Sequence, residues 1–291
     1  MVDVARLEAL LAEVSPALYA FGIGIVVLES VVFAKTRPGR DRRSRILSIK
    51  CGALGFGFEF LFHASAFFAA QMWIYQYRWF ELGQGWEVFA LCALINDAMF
   101  YLSHFLQHHV RFLWAVHCVH HSPKQYDLTT GICGSVLGPL VTAPFYLWIP
   151  LLGIHPLIFL ICDKTFKFVG LAYHTDVVPK LGPLEYLFVT PSAHRVHHAS
   201  DEKYLDRNFG GFLIVFDRLF GTYKEEKETP TYGLVKKWHS YSVWECQVHE
   251  LRDLWRDARN ASTFADALRY FYKPPGWRSP TSRTSSQVLP S

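Results

Sequence analysis

The chain predicts an all-α integral membrane protein, with about four to five transmembrane helices, one pair of them a hairpin, beneath a cytosolic, helical, histidine-rich cap. Three observations predict it. Of its 291 residues 51% are hydrophobic and 16% aromatic, against roughly 45–50% apolar in an ordinary soluble domain. Apolar stretches of bilayer-crossing length recur along its first half. Three histidine patterns, "HFLQH" (His104–His108), "HCVHH" (His117–His121) and "HRVHH" (His194–His198), come after such stretches rather than inside them.

A membrane helix needs about 20 mostly apolar residues. "ALYAFGIGIVVLESVVFA", from Ala17, supplies them, with Glu29 its one formal charge. The segment before it, "MVDVARLEALLAEVSP", is amphipathic and acidic, so no cleavable signal peptide is expected. "KTRPGRDRRSR", 35–45, follows with six basic residues against one acid and reads as a juxtamembrane loop rather than a nucleic-acid arm. Residues 46–75 form the second candidate span, with Glu59 and His63 in its middle, and Trp86–Ser103 the third. The region Cys133–Tyr173 is apolar but interrupted by Pro139, Pro144, Pro150 and Pro156, which predicts a helical hairpin turning near "IPLLGIHP".

Beyond Pro179 the chain is more polar. "VWECQVHELRDLW" sets Trp244, Val248, Leu251 and Trp255 on one helical stripe, expected to lie on the protein or membrane surface. The tail "RSPTSRTSSQVLPS" has the composition of a disordered segment. This gives three units: N-terminal transmembrane helices with their basic loop (1–96), a histidine-box domain (97–223), and a C-terminal amphipathic helix with its tail (224–291). Six scattered cysteines without a Cys-x-x-Cys pair read as reduced packing residues, Cys118 included.

The positive-inside rule puts the loop at 35–45 in the cytoplasm. The second span then leaves and the third returns, delivering His104 and His108 on that side. His117–His121 follow without a crossing. The hairpin goes out and back, so His174 and His194–His198 reach the same face. An odd number of crossings would forbid a shared site.

Residues three and four apart share a helix face. His104 with His108, His117 with His120 and His121, and His194 with His197 and His198 therefore each aim two or three imidazoles at one point. Imidazole suits zinc, copper, iron and nickel. Eight boxed histidines exceed what one tetrahedral zinc takes, so the supply fits two metals, with His174 of "AYHTD" a ninth candidate ligand. His63, His109, His155, His239 and His249 read as ordinary polar histidines. Asp97 shares the face of His104 one level deeper, placed to accept the N–H of a ligating imidazole. Asn208 is a second such candidate, and Glu59 and His63 stand ready to pair or to touch substrate. A membrane zinc hydrolase would need an acid beside a vacant zinc position, and no box contains Glu. A metal transporter or haem carrier would hold its histidines at mid-span.

"DAMFYLSHFLQHH", "HCVHHS", "YHTD", "TPSAHRVHH" and "NFGGFLIVFDRLFGTY", together spanning about 97–223, resemble the fatty acid hydroxylase / sterol desaturase superfamily of membrane histidine-box oxygenases. The pattern is most similar to alkylglycerol monooxygenase-like and bacterial sterol-desaturase-like members. It departs at Phe105, where Arg is frequent, and at Asn208-Phe209-Gly210, where the family often has Asn-Tyr-Gly. The resemblance implies two non-haem irons, oxygen as co-substrate, and hydroxylation or desaturation of a lipid such as a sterol, an ether lipid or a fatty acyl chain. It places the active site on the cytoplasmic face of a bacterial inner membrane or endoplasmic reticulum. Absent Gly-x-Gly-x-x-Gly and Cys-x-x-Cys-His motifs predict a separate reductase or small electron-transfer protein, and the juxtamembrane reading of 35–45 leaves no nucleic-acid partner expected.

Overall fold

The computed structural model describes residues 3–280 apart from Pro38 and Lys237, and the described residues are helical with no strand. Part of the tail expected to be disordered, 281–291, lies outside the described residues. Helix α1 runs Val4–Thr36, its first turn capped by the Asp3 carboxylate on Arg6 N–H. Asp41, the single acid of the basic loop, caps α2 (Arg42–Phe62) by accepting from Arg43 and Ser44 N–H. A π-helical turn, His63–Phe67, joins α2 to α3 (Phe68–Tyr75) without a break. Helix α4, Trp86–His109, outruns the expected third span and carries His104 and His108 on its last two turns.

Val4–Phe33, Arg42–Tyr75 and Trp86–His109 are long and apolar enough to cross a membrane. Their ends sort into two groups. At one end Asp3 N–H meets the Gln84 side chain, Trp79 N–H meets Leu151 O at 2.7 Å, and Gly153 lies against Phe80 O. Trp73, Tyr77, Trp79, Phe80 and Trp86 are exposed at this end, as aromatic side chains are where a bilayer meets water. The other end gathers Thr36, Arg42, His109 and the histidine boxes.

The predicted hairpin is present with unequal arms. Its first arm, Gly138–Leu152, starts as the single α-turn α7 (Gly138–Thr142) and continues in 3-10 turns at Ala143–Phe145 and Ile149–Leu152. Pro139, Pro144 and Pro150 each lack the N–H that a regular helix needs. Gly153 turns the chain at φ +88, a left-handed conformation that favours glycine. The return arm α8 (Pro156–Ala172) is regular, because Pro156 sits in its first turn, where no N–H partner is required.

The cap comprises α5 (Arg111–His121), α6 (Leu128–Ile132), α9 (Pro191–His197), α10 (Val215–Phe220), α11 (Val243–Arg259) and α12 (Phe264–Tyr272). Helix α11 packs through Cys246, Leu254 and Ala258, while Trp244 and Trp255 of the expected stripe are 70% and 61% exposed. The stripe thus flanks the buried face rather than forming it. All six cysteines are free and buried.

Candidate metal centre

Helix α4 delivers His104 and His108, and α5 delivers His117, His120 and His121. The end of α8 delivers His174, and α9 with its cap delivers His194, His197 and His198. The nine imidazoles meet in two adjoining groups. His104, His108, His117, His121 and His197 form one, and His120, His174, His194 and His198 the other; within each, the donor nitrogens lie within 4.8 Å of one another. The groups abut where the His121 and His198 rings stack at 4.4 Å.

Main-chain carbonyls set the ring orientations. Nδ1 of His104 faces Phe209 O (3.0 Å), that of His120 faces Cys133 O (2.8 Å), that of His174 faces Gly170 O (2.9 Å) and that of His197 faces Arg207 O (3.0 Å). A carbonyl only accepts, so each Nδ1 carries the proton and each Nε2 keeps its lone pair. His108 Nδ1 likewise donates to Asp206 Oδ1 at 3.2 Å. The Nε2 atoms then crowd together. His174 Nε2 lies 3.3, 3.1 and 2.9 Å from those of His120, His198 and His194. In the larger group the separations are 3.0 Å (His104 to His117), 3.1 Å (His117 to His121) and 3.2 Å (His121 to His197).

His120 and His174 thus point lone pairs at each other, an arrangement no hydrogen bond satisfies. A shared cation does. Metal–nitrogen bonds of about 2.0–2.1 Å separate neighbouring ligand nitrogens by roughly 3.0–3.4 Å. His108 Nε2, buried, has no hydrogen-bond partner and belongs to the same group. Burial also keeps the imidazoles neutral, as ligation requires. It pushes His120 down to about 4, and holds His117, His121, His174, His194, His197 and His198 well below the ordinary imidazole range, neighbouring imidazoles adding to the effect.

Asp97 does not reach an imidazole. Its two oxygens accept Phe212 and Leu213 N–H at 2.7 and 2.8 Å, so the expectation that it orients a ligating ring is corrected. It acts one step back, fixing the loop whose Phe209 carbonyl meets His104. Asp217, which sequence reasoning passed over, fixes the other end of that loop by accepting Phe209 and Gly210 N–H, both at 2.7 Å. The signal was available: an acid within the apolar run "FLIVFDRLF". Asn208 also contacts no ring; its amide bridges Ala193 O and Lys224 O, and its carbonyl accepts Lys224 N–H, steadying α9.

Arg195, between the box histidines, was missed as well. It pairs with Glu226 and donates to Thr175 O and Val178 O, clamping α9 to the His174 loop. The basic loop adds to this clamp, since Arg37 and Arg40 pair with Asp176, and Arg40 and Arg45 with Asp127.

The remaining histidines stay outside both groups. His109 stacks on Phe105, His155 caps α8, His249 bonds to α11 carbonyls, and His239 meets Lys124. Glu59 pairs with Lys167 of α8, which also pairs with Asp163 beside His63. The Cys118 thiol turns to Ala115 O, away from the imidazoles.

The family model of fatty acid hydroxylase matches residues 89–222, the stretch that holds all three boxes, His174 and the 206–217 loop. The chain carries a fatty acid hydroxylase domain. It is 32% identical over 262 residues to the alkylglycerol monooxygenase of Homo sapiens, covering 88% of this chain and 58% of that protein. It is 32% identical over 141 residues to the ornithine lipid hydroxylase of Rhizobium tropici, covering 46% of this chain and 40% of that one. Methylsterol monooxygenase 1 of Rattus norvegicus is 29% identical over 136 residues, covering 45% of this chain and 44% of that one. The chain spans about half the length of the curated relatives it matches. No solved structure matches it. The matched stretch thus begins within α4 and ends just past α10, and α1 to α3 lie outside it.

Proposed function

We propose that the protein is a membrane non-haem di-iron oxygenase that hydroxylates or desaturates a lipid, with oxygen as co-substrate and electrons from a separate donor. The observation that carries the reading is the pair of adjoining all-imidazole groups with inward Nε2 lone pairs, at one end of membrane-length helices. Two groups of five and four imidazoles each hold one metal ion. Bound iron supplies the power to activate oxygen and attack an unactivated C–H bond. The chain's own residues hold four of the nine imidazoles, His104, His120, His174 and His197, in fixed tautomers through main-chain carbonyls, and His108 through Asp206. They bury these rings from bulk water and present them to the bilayer, where a long alkyl chain resides.

Relatives that act on alkylglycerol, an ornithine lipid and a methylsterol support a lipid substrate, and the 88% coverage by an alkylglycerol monooxygenase favours an ether-linked glycerolipid. We place the metal end of the bundle on the cytoplasmic side, because the basic loop is there, and count the hairpin arms as the fourth and fifth crossings.

The test is metal per chain after anaerobic purification with iron supplied. The parent should hold near two irons, and His120→Ala and His197→Ala, one change in each group, should each lose about one. Two irons kept in both variants, or a single zinc indifferent to iron supply, would refute the reading.

A further inference from the structure

An apolar surface lies on α10 and the Leu184–Leu187 turn, outside the long helices. Tyr186 and Leu219 are 72% and 71% exposed, with Leu184, Leu187, Val215 and Phe220 exposed around them. Their place along the bundle says what covers them. Phe216 and Phe220 of α10 pack on the Tyr101 ring of α4, with centroids 5.9 and 5.4 Å away. Phe212 packs on Phe166 of α8 and on Phe188. Phe212 and Leu213 hang from Asp97, which at about 1.5 Å per residue sits about 10 Å further from the box end of α4 than His104. The chain therefore leaves the cap, descends beside α4 and α8, and returns.

Non-helical backbone survives at such depth only when its polar groups are satisfied by protein. Here they are. Phe209 and Gly210 N–H bond to Asp217, Phe212 and Leu213 N–H to Asp97, Val189 N–H to Phe212 O and Ile214 N–H to Leu187 O. Arg218 lies over the Tyr186 and Tyr223 rings and donates to Glu185 O, the posture of a basic side chain whose stem lies in an apolar layer. At Gly221, φ +74, the chain turns, and the residues beyond it include exposed Lys224, Glu225, Lys227 and Glu228. Apolar exposure ends where the segment climbs away from the helices.

We propose that Leu184–Leu187 and Val215–Phe220 form a re-entrant wedge immersed in the leaflet on the metal side, covered by phospholipid acyl chains. The proposal rests on the reading that α4 crosses the bilayer.

Spin labels read it directly, in the full chain in phospholipid nanodiscs. Labels go on Leu219→Cys and, independently, Tyr186→Cys, with Phe60→Cys on α2 as the lipid reference and Lys203→Cys as the water reference. The native thiols are buried, so the unsubstituted chain gives the background. The readout is the ratio of collision with dissolved oxygen to collision with a water-soluble nickel chelate. The wedge sites should match Phe60→Cys, several-fold above Lys203→Cys. Wedge sites matching Lys203→Cys while Phe60→Cys reads lipid would overturn the wedge alone. A water-like Phe60→Cys would overturn the membrane reading and the wedge with it. Either wedge variant that keeps the parent's metal content decides the outcome if the other misfolds.

Discussion

Asp97 and Asp217 each accept two main-chain N–H groups from the stretch Phe209–Leu213, and the carbonyl of Phe209 in turn holds His104. Asp97→Asn keeps the shape but replaces one acceptor with an amide that only donates. A buried N–H left unpaired costs about 1–3 kcal/mol. The variant should unfold earlier by that amount and lose metal from the five-histidine group first; unchanged stability and metal content would show that the loop holds itself. The imidazoles make a second prediction, for the metal-free protein. His120 sits at about 4 against an ordinary 6.5, so below about pH 6.5 the unfolded chain takes up protons that the folded one refuses. Stability present above that pH should fall away as pH drops towards 4. A thermal midpoint that rises between pH 7 and pH 5 would contradict this. The eight boxed histidines were legible because helical spacing alone puts them on common faces, while His174 stood out only as a lone histidine in "AYHTD". The carbonyls of Arg207, Phe209, Cys133 and Gly170 were not, since a main-chain acceptor leaves no mark in the residue alphabet. Asp97 was found for the wrong contact.

Helix α2 approaches the cap at Gly52, where an added Cβ would lie 2.6 Å from the Ile132 carbonyl oxygen. Backbone cannot yield as a flexible side chain does. Gly52→Ala should force α2 away from the end of α6 and destabilise the fold by about 1–3 kcal/mol, in line with overpacking elsewhere. A denaturation midpoint equal to the parent's would mean that the two elements slide apart freely. Sequence periodicity found the long helices because each has a continuous apolar run. It overestimated the regularity of Gly138–Leu152, where three prolines divide the arm into short turns. It also placed the surface stripe of α11 without finding its buried face, because Cys246 and Ala258 are small and Gln247 is polar.

The whole molecule has two unlike ends, one ringed by exposed aromatic side chains and one built of imidazole and ion pairs. The three helices of membrane-crossing length that join them were readable from apolar length. The depth of the segment around Phe212 was not, because it depends on contacts with α4 across more than a hundred residues of chain. A reporter fused after residue 291 should lie in the cytoplasm of intact cells or spheroplasts, since α11 and α12 pack beside α5 at the imidazole end. Protease or label access from the opposite side would break the topology.

The carbonyl-held rings carry one more consequence. Orientation written in the main chain does not depend on the side chain at position 207, but it depends on how many residues separate the two carbonyls from His197 and His104. Drift by substitution leaves such a device running, whereas gain or loss of a single residue between Asp206 and Asp217 rotates the carbonyls out of line. The segment therefore works as a ruler, whose length matters alongside the side chains of Asp206, Asn208 and Asp217 that pin it.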